Sequence, residues 1–321
     1  AGPASGGTAR RAQRMRVAWA PWLREGGSAE RTSLREREVI GWSAPPPLFS
    51  LPASSVAAGG LAGVFVPTAE SVRTTCVLGL LVSFRANVLL AGGDGSAKTT
   101  YAQQLLGDLS PAQVVVARSR FTGATEAADV RRLVEKPLAT RSLGVQGPPL
   151  GRRAVVFADD VGMPGADEYG AVPALELLRS LVSLGGWHDP HAAASGRSRT
   201  FREIHDVQLL AALNPGAAAT PLSQRLVRHL AVLVCSPPSR AGMRRIFGSF
   251  AEALLSGASQ SPTRELRTVA GSLADASVDI LETVSAQIRP SPTRPELAWS
   301  VRDLVRVWAG VATAHPDDAR P

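Results

Sequence analysis

One segment constrains this chain more than any other. The apolar run Asn87-Val-Leu-Leu-Ala91 leads into Gly92-Gly-Asp-Gly-Ser-Ala-Lys-Thr99, and a helical pattern follows. A buried strand, a glycine-rich turn and a helix opening at Lys-Thr together form a phosphate-loop arrangement. The unpaired backbone N–H groups at such a helix start attract an anion. Gly92, Gly93, Asp94, Gly95, Ser96, Ala97, Lys98, Thr99 and Thr100 are the candidate nucleotide-binding residues. Lys98 is expected to reach the β- and γ-phosphates, and the Thr99 hydroxyl to ligate Mg²⁺. The plainer alternative is a glycine loop that merely caps a helix, but the register of Gly92, Lys98 and Thr99 behind a strand favours the phosphate loop. One position departs from the usual pattern: Ala97 stands where glycine normally precedes the lysine. If that position needs positive φ, its methyl group costs about 1–2 kcal/mol.

Two further apolar runs end in polar residues that complete such a site. Ala154-Val-Val-Phe-Ala-Asp-Asp160 places Asp159 to hold Mg²⁺, usually through water, and Asp160 to polarise the attacking water. The same two acids could instead cap a helix. Val207-Gln-Leu-Leu-Ala-Ala-Leu-Asn214 ends in an amide suited to orient that water; the alternative is an ordinary turn Asn before Pro. With Val114–Ala117 and Leu230–Cys235 these make five runs that are continuous rather than alternating, as in strands buried on both faces of a parallel sheet. Helices are expected between them at Ala69–Ser83, Thr99–Leu106, Glu126–Leu133, Ala174–Leu184 and Leu222–Arg228. The fold class is therefore α/β with a five-stranded parallel sheet in the order 5-1-4-3-2, its Val114–Ala117 strand at the edge. After Ser239 the pattern becomes helical, over Arg240–Leu255, Arg264–Ile288 and Val301–Ala314. This suggests three parts: a lead-in over 1–60, with Trp19 and Trp22 as local anchors, an α/β nucleotide-binding domain over 61–238, and an incomplete helical lid over 239–321.

Composition narrows the class of partner. The net charge of +8 would suit a nucleic-acid surface. Of 35 basic residues, however, only Lys98 and Lys136 are lysine, and the arginines are spread along the chain. No nucleic-acid partner is expected. No apolar run approaches the ~20 residues of a membrane span, and no membrane partner is expected. Cys76 and Cys235 lie far apart, without metal or disulfide spacing, which suits a reducing compartment. His188-Asp-Pro-His191 lacks further ligands at metal spacing and reads as a loop, while Trp187 and Trp308 read as packing residues.

Two arginine positions fit the AAA+ class of ring ATPases. Arg225 and Arg228 share a helical face just before the last strand, where such proteins carry the arginine that reaches a neighbour's nucleotide. A solvated basic face competes with that reading. Arg302, in Trp299-Ser-Val-Arg-Asp303, fits the second sensor of the lid, with an Arg302–Asp303 surface pair as the alternative.

The likeness goes further than AAA+ proteins in general. Val66-Pro-Thr-Ala-Glu-Ser-Val-Arg73 resembles the lead-in to the third AAA+ module of dynein heavy chains. Gly147-Pro-Pro-Leu-Gly-Arg-Arg, running into Phe157-Ala-Asp-Asp-Val-Gly-Met-Pro164, resembles the axonemal form. Tyr169-Gly-Ala, Glu176-Leu-Leu-Arg179, Gly185-Gly-Trp187 and Arg225-Leu-Val-Arg-His229 do likewise, and Ser300-Val-Arg-Asp-Leu-Val-Arg306 resembles the lid segment. The likeness runs from about Trp19 onward and is strongest from Val66 to His229. It implies one module of a six-module ring that binds ATP or ADP with Mg²⁺ and gates a microtubule motor. It further implies neighbouring AAA+ modules and other dynein chains as partners, microtubules contacted through parts outside this chain, and a place in the ciliary or flagellar axoneme. Within the full ring the module would be an ATPase; alone it would be weak or inactive. The alternatives are a non-hydrolysing structural ring segment with a degenerate loop, and a nucleic-acid-remodelling AAA+ protein.

Overall fold

The longest purely apolar runs form the middle of a sheet. The structure, a computed structural model, describes residues 64–142, 144–188, 201–218, 220–256, 264–291, 293–294 and 297–313. Its elements in chain order begin with α1 (Ala69–Ser83), β1 (Val88–Ala91), α2 (Lys98–Asp108), β2 (Val114–Arg120), α3 (Ala127–Glu135), β3 (Ala139–Ser142), β4 (Val145–Gly147) and β5 (Arg153–Asp159). They continue with α4 (Pro173–Leu184), β6 (Gly186–His188), β7 (Phe201–Ile204), β8 (Val207–Leu213), α5 (Gln224–Val227), β9 (Ala231–Val234), α6 (Arg240–Ser256), α7 (Arg264–Gln287) and α8 (Val301–Thr313). The expected lead-in over 1–60, with Trp19 and Trp22, lies outside the described residues.

Chain contacts divide the molecule into two units. One holds Thr74–Gly93 and Tyr101–Cys235. Its main sheet has the order β2-β5-β8-β1-β9, with every neighbouring pair parallel. Numbered by the five expected strands this is 5-1-4-3-2, as anticipated. β5 and β8 are buried almost throughout because helices cover both faces of a parallel sheet. The core joins Phe121, Val130 and Val134 to Val156, Leu175, Leu178 and Leu209. Trp187 is buried among them, with Arg131 stacked over its ring, so it is a packing residue. Cys76 is half-buried and Cys235 is buried.

Two expectations need correction, and one feature is additional. The Leu230–Cys235 run does not make a strand buried on both faces: β9 is an edge strand on which Val232 and Val234 are 49% and 70% exposed. β2 does not stop at Ala117 but continues through Arg118-Ser-Arg120, because its pairing with β5 persists to the end of that strand. A second sheet, β3-β4-β7-β6, was not anticipated. Its strands are short and mostly polar, so they carry no apolar period. One constraint within it falls on Gly186, where a Cβ would sit 2.0 Å from the Arg202 carbonyl oxygen, so only glycine admits the approach of β7.

The second unit holds residues 64–73, Asp94–Thr100 and Ser236 onward. Thr68 and Ser71 start α1 by a reciprocal exchange: the Ser71 N–H donates to Thr68 Oγ1 at 3.1 Å and the Thr68 N–H to Ser71 Oγ at 2.8 Å. Glu70 accepts from Ser239 Oγ at 2.6 Å. Burial pushes its carboxyl up, but the hydrogen bonds from Ser239, its own backbone and Thr68, with the charge of Arg73, hold it below the usual value. The helices close on Phe247, Phe250, Ala270, Ala274, Leu304 and Trp308. Phe247 meets Phe250 edge-on and stacks with Trp308 at 6.2 Å. Leu304 and Trp308 bury one face of α8 in this core. No described helix is long and apolar enough to cross a membrane.

Candidate nucleotide site

The phosphate-loop segment takes the backbone shape its sequence suggests. β1 runs into Gly92, whose N–H donates to the Leu213 carbonyl at 3.1 Å, so the loop leaves the sheet beside the end of β8. Gly95 and Ala97 are both left-handed, at φ +72° and +58°. Such left-handed residues in a tight turn let successive N–H groups converge on an anion. Ser96 between them is buried, and the nearly buried Lys98 donates from Nζ to Ser96 Oγ at 3.3 Å. Lys98, Thr99 and Thr100 form the first turn of α2. Gly93 and Asp94 are exposed. Gly95 is confined for a second reason: a Cβ there would lie 3.3 Å from the Val301 nitrogen and 3.4 Å from the Ser300 Cβ. The start of α8, next to Arg302, therefore abuts the loop. The conditional cost at Ala97 applies, since the residue sits in the left-handed region, at about 1–2 kcal/mol.

Asp159 ends β5 and is buried; Asp160 follows, left-handed at φ +56°. The pair caps no helix, because α4 does not begin until Pro173. The turn is tied down by Met163 N–H donating to the Asp160 carbonyl and Val161 N–H donating to the Ala212 carbonyl of β8. Asn214 follows β8, between β5 and β1 in the sheet, and its Oδ1 accepts from Gly216 N–H at 3.1 Å. Gly92, Asp159, Asp160 and Asn214 thus share the carboxyl edge of three adjacent parallel strands, the edge at which open α/β sheets bind ligands.

Arg120 was missed on sequence. The β2–β5 register sets it opposite Asp159, and its Nη2 lies 3.6 Å from Asp159 Oδ2 and its Nε 3.6 Å from Asp160 Oδ2. The available signal was the pairing itself, since two parallel strands ending at one edge bring their last side chains together.

Arg225 and Arg228 are not brought to this edge. Both are exposed, on and just after α5, which Ser223 caps, and they precede β9 at its amino end. Arg228 donates from Nε to His229 Nε2 at 3.1 Å. Arg302 is exposed in the first turn of α8. The carboxylate of Asp303 is engaged by Arg306 at 3.0 Å and by Ser300. His188 packs edge-on against Phe201, while Asp189–His191 lie outside the described residues. Among the described residues no group of three His, Cys, Asp or Glu is arranged to hold a metal.

Comparison with known proteins agrees with this layout. The family described as "P-loop containing dynein motor region" matches residues 58–238. Dynein axonemal heavy chain 6 of Homo sapiens is 30% identical over 260 residues, covering 80% of this chain and 6% of that protein. Dynein axonemal heavy chain 1 of Mus musculus is 28% identical over 277 residues, covering 84% of this chain and 6% of that one. The dynein-1-alpha heavy chain of the flagellar inner arm I1 complex of Chlamydomonas reinhardtii is 29% identical over 255 residues, covering 79% and 5%. This chain therefore spans only about one-twentieth of the length of these relatives. With more than half of its length matched, the chain belongs to the P-loop dynein motor region family.

Proposed function

We propose that the chain is the third AAA+ module of an axonemal-type dynein heavy chain, binding ATP or ADP with Mg²⁺ and regulating a microtubule motor. The observation that carries nucleotide binding is the β1–α2 turn, with its left-handed backbone at Gly95 and Ala97 and Lys98 folded onto Ser96. In this proposal the loop N–H groups and Lys98 would bind the phosphates, and Thr99 and Asp159 would supply oxygen donors for Mg²⁺. Bound Mg²⁺ would neutralise phosphate charge. Asp160 would accept a proton from, or orient, the attacking water, with Asn214 fixing that water. Arg302 would face the nucleotide from the lid, and Arg225 would serve the neighbouring module's nucleotide. The residues present suit the group: the buried Asp159 and the hydroxyl of Thr99 are the hard oxygen donors Mg²⁺ prefers. The other modules of the same heavy chain, other dynein chains and the axonemal cytoskeleton are the expected surroundings, with microtubules contacted elsewhere in the heavy chain. We take 61–238 as the nucleotide-binding domain and 239–321 as its lid.

Isothermal titration with ATP and ADP tests the site. One-to-one binding that Lys98→Ala weakens is expected; absence of heat with both nucleotides would overturn it. The flanking reading frame tests the module's position: AAA+ motifs for two modules upstream and three downstream are expected. Ala97 gives specific support to a second reading, a structural ring segment that does not hydrolyse, because a methyl group occupies a left-handed position in the loop.

A further inference from the structure

Arg120 has no part in the proposed chemistry, yet it faces both acids. We infer that it is a positioning residue: a built-in counter-cation of the Asp159–Asp160 pair that Mg²⁺ must displace, so that one side chain sets the Mg²⁺ requirement for nucleotide binding. This rests on Asp159 being the metal-facing carboxylate, as proposed above.

Burial supplies the first reason. The Asp159 side chain is only 6% exposed, and an ionised carboxylate that far from water needs a nearby positive charge. The guanidinium of Arg120 provides one such charge, its Nη2 at 3.6 Å, and its Nε reaches Asp160 at the same distance. A planar fork can serve two carboxylates through separate nitrogens where an ammonium is a single point. Mobility supplies the second. Arg120 is 69% exposed, and both contacts are longer than the ~2.7–2.9 Å of a charge-assisted hydrogen bond. The guanidinium is therefore held loosely and leaves into water with little penalty. Competition follows from charge. A divalent cation at Asp159 and a guanidinium a few ångströms away repel each other, and Mg²⁺ binds such a carboxylate directly or through its water shell. Arg120 then moves outward or retires to Asp160, which is 38% exposed. The Arg120 backbone need not move, because strand pairing anchors it opposite Asp159.

The test uses the full chain. A fluorescent ADP analogue is titrated at a series of free Mg²⁺ concentrations against wild type, Arg120→Gln, Arg120→Lys and Lys98→Ala, and each protein is melted in EDTA and in Mg²⁺ alone. Arg120→Gln should lower the half-saturating Mg²⁺ by about two- to fivefold, the effect of one partly exposed charge pair, with Arg120→Lys in between. The same variant should melt earlier than wild type in EDTA and gain more from Mg²⁺ alone. An unchanged Mg²⁺ requirement overturns the inference, and a raised one does so too, because Arg120 would then be helping to hold the metal. If Lys98→Ala loses nucleotide while Arg120→Gln keeps the wild-type requirement, this inference fails and the site stands. If Lys98→Ala binds normally, the site fails and the Mg²⁺-only melts decide: a larger gain for Arg120→Gln supports the counter-cation, and an equal gain refutes it.

Discussion

Ala97 and Asp160 hold nearly the same backbone conformation, at φ +58° and +56°, in turns that each follow a strand of the parallel sheet. They do not bear it equally. An aspartate tolerates the left-handed region because its short polar side chain can bond locally, and the Asp160 turn is also pinned by Val161 and Met163. Alanine has no such compensation, and in the proposed site it sits where phosphate would approach the backbone. The same φ is therefore ordinary in the acidic turn and strained in the phosphate loop. The acidic turn is built to keep its shape, whereas the loop keeps its shape at a cost.

The largest expected effect concerns turnover. If the acidic turn is sound but its site needs an arginine from a neighbouring module, the isolated chain should hydrolyse ATP about 10³–10⁵ times more slowly than a completed ring site. Arg225→Ala should then change that residual rate little, as a steady-state phosphate-release assay would read; fast turnover independent of protein concentration would break the comparison. Next comes Lys98→Ala, which should weaken both ATP and ADP by at least about tenfold, since a charge-assisted phosphate contact contributes about 1.5–3 kcal/mol. Calorimetry reads that loss, and an effect on ATP alone would shift the role of Lys98 towards the γ-phosphate. The smallest effect sharpens the contrast between the turns. Asp160→Ala removes the compensating side chain and should lower stability by about 1 kcal/mol, while Asp160→Gly should stay within about 0.5 kcal/mol of wild type. Thermal melts that rank the two the other way would show that the Asp160 side chain does not support its turn.

How much of this was legible in the sequence depended on periodicity. β5 and β8 are uninterrupted apolar runs and fall within a residue of their expected bounds, because burial on both faces leaves no room for polar residues. The helices α1, α4 and α6 carry strong stripes or caps and were equally plain. α5 is shorter than expected, because Ser223 rather than Leu222 starts it. The second sheet is built from strands of three and four residues such as Val145–Gly147 and could not be read from alternation. Arg120 escaped because its strand ends in charged residues that resemble a loop; only the pairing with β5 reveals its position. The firm seating of α8 depends on Trp308 meeting Phe247, a contact between helices far apart in sequence that no local pattern encodes. The left-handed φ of Ala97 was anticipated only as a condition, since a loop sequence names the residue that would be strained but not the angle it adopts.

The most direct test is a calorimetric titration of ADP into wild type and Ala97→Gly in the same buffer and Mg²⁺. Removing the methyl where phosphate would approach the backbone should tighten binding by about tenfold, the equivalent of about 1.4 kcal/mol. Unchanged or weaker binding by Ala97→Gly would contradict the claim that this loop holds nucleotide in the strained conformation described, with Ala97 as its limiting residue.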